Sequence, residues 1–129
     1  MVNKNTSGMS IKEKLSLLWI FLMFNYAYGD ILTLVEGKGA PFEITPEFLL
    51  GAAIYIEISI VMIVLSRVLQ YKVNRWANII TGLISALGLI GSMFVEPPPT
   101  YYVFLGVIEI VCLSLIVWTA WKWRESEAD

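Results

Sequence analysis

Apolar residues gather in four blocks, at roughly 15–35, 48–66, 76–95 and 101–121, parted by short stretches of Gly, Pro and charged residues. Each block approaches the roughly 20 residues a helix needs to cross a hydrocarbon layer of about 30 Å. A soluble bundle would carry a polar stripe along every helix. Here apolar side chains run nearly all round. The pattern predicts an all-α, integral membrane four-helix bundle in one transmembrane domain, 1–129, with helices over about 13–35, 46–67, 75–95 and 100–122.

The connections fit that register. In "EGKGAPFEITPE" the glycines and Pro41 break the first helix, while Thr45, Pro46 and Glu47 read as a cap, a first helical proline and a first-turn acid. "EPPPT" ends the third helix and offers Thr100 as a cap for the fourth. Tyr101 and Tyr102 at one end, with Trp19, Trp76, Trp118, Trp121 and Trp123 towards the other, suit interfacial belts.

Charge sets the direction. Of nine Lys and Arg, eight fall on one side of the alternating helices: Lys4, Lys12, Lys14, Arg67, Lys72, Arg75, Lys122 and Arg124. Lys38 alone falls on the other. The positive-inside rule makes the rich side cytoplasmic, so the helices run up, down, up, down with both termini inside. Arg67, Lys72 and Arg75 read first as orientation anchors, with anionic lipid headgroups as their second use. Ala27-Tyr28-Gly29 resembles a cleavage site, but the apolar run continues through "ILTLV", so the first helix is expected to stay.

Composition, 57% hydrophobic with a mean hydropathy of +0.70, agrees with a membrane chain. With no histidine, imidazole acid–base chemistry and histidine-ligated haem or zinc are absent. The single Cys112 forbids an internal disulfide or a CxxC pair. No cofactor, metal or nucleic-acid partner is expected. The lipid bilayer is the expected surrounding, and a homo-oligomer stays open.

Three acids interrupt the apolar blocks: Asp30, Glu57 and Glu109. At 1.5 Å per residue they lie about 7–8, 15 and 12 Å from the outer ends of their helices. No Lys or Arg shares that depth. An ionised acid at a helix centre costs about 2.5–3.5 kcal/mol on insertion scales. Either the acids are protonated and hydrogen-bonded, or water and a cation reach them. Helical spacing puts Tyr26, Asp30 and Thr33 on one face, and Tyr102, Gly106 and Glu109 on another. Asn78, Thr81, Ser85, Gly88 and Ser92 form a small polar stripe on the third helix, which commonly serves close packing. These faces are expected to meet in an outward-facing polar pocket, with Asn25 as a candidate donor to Glu57.

"LLWIF", Asp30, "ITP", "IVLSRVL", "NRWANII", "IEIVC" and "WTAWKW" resemble a family of short four-helix prokaryotic membrane proteins of unknown function. Its general plan is similar to that of DoxX-like proteins, some of which are implicated in redox or quinone-linked work. The resemblance covers nearly the whole chain and implies a fold, not an activity. Three functions remain in view. The pocket could bind or transport a cation, a proton or a lipophilic amine at Asp30, Glu57 and Glu109. A membrane enzyme could act on a lipid, isoprenoid or quinone, with one acid donating a proton. In the third reading the acids only lock helix packing in a structural or assembly subunit.

Overall fold

The computed structural model describes residues 8–37, 44–94 and 97–127. Four helices follow one another: α1 Ile11–Glu36, α2 Pro46–Val68, α3 Tyr71–Ser92 and α4 Thr100–Lys122; a short 3₁₀ turn, Glu125–Glu127, follows α4. All four are long and apolar enough to cross a membrane.

Local chemistry fixes most of the ends. Ser10 and Glu13 form a reciprocal capping box at the start of α1, Ser10 Oγ accepting from the Glu13 amide at 3.2 Å and Glu13 Oε1 from the Ser10 amide at 2.9 Å. Gly37 closes the same helix at φ 73°, a left-handed conformation that costs glycine little. Thr45 accepts from the amide of Phe48 at 3.1 Å, with Pro46 at the first helical position of α2. Pro41, expected to break α1, lies outside the described residues.

Three ends differ from the sequence reading, one of them the end of α3, which stops at Ser92 and not near 95. The cap of α4 is Pro99, and Thr100 is already helical, because the preceding proline holds the extended backbone that the entry needs. α3 starts at Tyr71 rather than near 75, since Asn74 reaches back and donates to the carbonyls of Ser66 and Leu69 at 2.8 and 3.2 Å. Those bonds hold the α2–α3 corner to two residues.

Neighbours run antiparallel. Ser16 at the start of α1 donates to the carbonyl of Ile63 near the end of α2 at 2.9 Å. Arg75 at the start of α3 reaches the carbonyl of Ala120 at the end of α4. α1 packs on both α2 and α4, and α3 packs on α4, while the α2–α3 seam is sparser. The apolar core of Leu15, Trp19, Leu22, Met62, Ile79, Cys112, Leu113, Ile116, Ala120 and Trp123 lies mostly in the half of the bundle that carries the termini; Leu89 extends it upward.

The tryptophan belt is partial. Trp76, Trp118 and Trp121 are exposed, but Trp19 and Trp123 are buried. Trp19 turns inward because its indole N–H finds Asn78 Oδ1 at 2.7 Å. Trp123 folds back against Tyr71, with ring centroids 5.1 Å apart and edge to face.

Candidate functional site

The end holding the termini is locked by polar bonds. Asn78 Oδ1 accepts from Trp19 Nε1 and, at 3.2 Å, from Ser66 Oγ. Its Nδ2 donates to Asn74 Oδ1 at 2.7 Å and to the Asn74 carbonyl at 2.9 Å. Asn74, Asn78 and Ser66 are wholly buried, so each bond replaces one that water would have made. Arg75 donates from Nε and Nη2 to the carbonyls of Ala120 and Trp121, both at 3.0 Å, closing the last turn of α4. Its guanidinium also lies 5.3 and 5.4 Å from the ring centroids of Trp76 and Trp121. Arg75 thus works as a helix cap, while Arg67 and Lys72 stand exposed.

The opposite end opens into a cleft of about 290 Å³. All four helices contribute walls: Tyr26, Gly29 and Asp30 from α1, Ala52, Tyr55 and Ile56 from α2, Gly88, Leu89 and Ser92 from α3, and Tyr102, Leu105 and Glu109 from α4. Glu109 is 5% exposed, and no hydrogen bond from the described residues reaches its carboxyl. Asp30 is exposed at the same cleft.

The hydroxyls around these acids are directed elsewhere. Tyr55 OH donates to the carbonyl of Ser85 at 2.7 Å, which leaves Tyr26 OH to donate to Tyr55 across 3.3 Å. Ser92 Oγ donates to the carbonyl of Leu89, so Tyr102 OH donates to Ser92 across 2.9 Å. Above the cleft, Tyr101 OH donates to Glu36 Oε2 at 2.7 Å and ties the start of α4 to the end of α1.

The residues expected to form one pocket are therefore divided. Tyr26, Asp30, Tyr102 and Glu109 come together at the cleft. Ser85 is buried behind Tyr55 and meets it through its backbone. Glu57 is exposed on the outer surface of α2 and does not line the cleft. Asn25 bonds to the carbonyl of Phe21, one turn back on its own helix, at 3.0 Å. The reason is rotational: depth along a helix follows from residue number, but α2 is so uniformly apolar that its sequence does not say which side turns inward. Among the described residues no three acids or thiols gather as metal ligands.

Tyr55 was missed, while Gly88 and Ser92 of the α3 stripe do line the cleft. A Cβ on Gly88 would lie 2.7 Å from Cε2 of Tyr55, so the glycine makes room for the ring that walls the cleft. An aromatic side chain on one helix facing a bare glycine on another was the available signal.

Residues 7–129 match the profile of a family described as "Family of unknown function (DUF6326)". The chain belongs to the DUF6326 family. No curated protein and no solved structure matches the chain. The match covers nearly the whole length, and it assigns no role to any residue.

Proposed function

We propose that the chain is a small multi-pass membrane protein, with both termini cytoplasmic, whose outward cleft binds a lipophilic organic cation. The orientation rests on the charge asymmetry: eight of nine Lys and Arg lie on the side of the termini. The cleft opens on the other side, towards the connections that join α1 to α2 and α3 to α4.

One observation carries the binding reading. Glu109 is a buried carboxyl without a hydrogen-bond partner among the described residues, set beside Tyr26, Tyr55 and Tyr102. A structural acid in an apolar bundle would be expected to bond to a neighbour, because burying it unpaired is costly. A cationic guest supplies the missing charge. Aromatic rings attract cations through their faces, and apolar walls such as Leu89, Leu105 and Ile56 suit hydrocarbon substituents. Asp30, at the open edge, adds negative potential along the entry path.

Benzyltrimethylammonium is a suitable probe, since it carries a fixed charge, an apolar ring and no proton to exchange. Its binding to the full chain in lipid nanodiscs, measured by calorimetry, should weaken about tenfold or more in Glu109→Gln, a change of about 1.4 kcal/mol. Glu57→Gln should leave it unaltered. Equal affinity in wild type and Glu109→Gln would overturn the reading, as would absence of binding to the wild type.

A further inference from the structure

The outer face of α2 has a use that the cleft does not explain. Leu50, Ile54, Glu57, Val61, Val64 and Val68 are all exposed, and their spacing runs 4, 3, 4, 3, 4. That spacing suits two helices packing side by side with a left-handed crossing. The exposed face of α3 shares it in Trp76, Ile80, Leu83, Leu87 and Ile90, so what sets α2 apart is its carboxyl. Five of the six members of the α2 seam are aliphatic, and four of those are β-branched. The sixth is the carboxyl of Glu57, near the middle of the seam.

We infer that this seam is the interface with a second copy of the chain, the two α2 helices packing in parallel with Glu57 against Glu57. The inference uses the membrane orientation proposed above, but not the cleft or its guest. Two copies inserted the same way present their α2 helices in parallel, and a two-fold axis along the membrane normal then places equivalent positions opposite each other. Two neutral carboxyls are complementary as they stand, because each offers one O–H donor and one acceptor oxygen. A basic partner for Glu57 cannot come from a second copy, as no Lys or Arg of this chain lies at that depth. Left facing lipid, the acid would be unpaired. A single polar residue within an apolar seam also sets which positions pair, so Glu57 fixes register as well as contact.

The test uses the full chain in liposomes. Copies labelled with donor and acceptor fluorophores are diluted with lipid, and energy transfer reports the dimer. Wild type should lose transfer on dilution as a monomer–dimer equilibrium, and Glu57→Gln should retain it because two amides also pair reciprocally. Glu57→Val should weaken association about threefold to thirtyfold, the span expected for one intramembrane hydrogen-bonded pair. In a Cys112→Ser background, Glu57→Cys and Val64→Cys should form disulfide-linked dimers on mild oxidation, whereas Leu87→Cys, exposed on α3, should not. Wild type that stays monomeric at every dilution would overturn the inference and would leave Glu57 to a different membrane partner. Disulfide yields at position 57 no higher than at 87 would overturn it equally.

Discussion

The two ends of this bundle solve the problem of polarity among apolar helices in opposite ways. Near the termini, Trp19, Ser66, Asn74 and Asn78 bring donors and acceptors in matched numbers, and they close into a buried network. At the other end, Tyr26 donates to Tyr55, Tyr55 to the backbone of Ser85 and Tyr102 to Ser92, and Glu109 receives none of their hydroxyls. The four-residue network is complete without a ligand, although Trp123 Nε1 is buried at the same end without a hydrogen-bond partner among the described residues. The cleft end lacks a counter-charge. In an apolar interior, where hydrophobic drive between helices is weak and packing and hydrogen bonds carry association, a completed network is structural and an incomplete one is a place for something else to bind.

Substitutions can break this contrast. The largest loss of stability should come from Asn78→Ala, which leaves Trp19 Nε1 and Ser66 Oγ without their acceptor and Asn74 Oδ1 without its donor. Unfolding in mixed micelles should show a loss on the order of 3 kcal/mol, since each buried orphan costs about 1–3 kcal/mol. A loss well under 1 kcal/mol would mean that the locked end is not what holds the helices together. Arg75→Ala comes next, at about 2 kcal/mol for charge-assisted bonds to two carbonyls. Arg75→Lys should recover only part of that, because one ammonium cannot reproduce the guanidinium fork. If lysine restores full stability, Arg75 is an anchor and not a cap.

Gly88→Ala should cost less, about 1 kcal/mol of overpacking, because the ring of Tyr55 can shift towards the open cleft. Its effect on benzyltrimethylammonium binding should exceed its effect on stability, since the displaced ring narrows the site. The reverse order would place Tyr55 among the structural residues.

Much of the architecture was legible from hydropathy, for a physical reason: a membrane helix must keep about 20 apolar residues together, and that leaves a mark no single side chain can hide. Thr45 and Pro46 announced the start of α2 because capping is local chemistry, whereas the Ser10–Glu13 box that starts α1 at Ile11 went unread. Azimuth was harder. α3 carries a polar stripe, so the inward turn of Asn78 and Ser85 could be read from spacing. α2 is apolar on every side except at Glu57, and one polar position does not tell inside from outside. Glu57 was accordingly placed in the pocket, while the structure turns it away and brings Tyr55 in. Glu109 could be located because Tyr102 and Gly106 mark its face of α4.

The central claim is that Glu109 serves a guest and not the fold, and the melting temperature of ligand-free Glu109→Gln tests it most directly. Glutamine keeps the shape and ends the burial of an unpaired acid, so the variant should melt no lower than wild type. A fall of several degrees would contradict the claim, because it would show that the carboxyl already holds helices together without any guest.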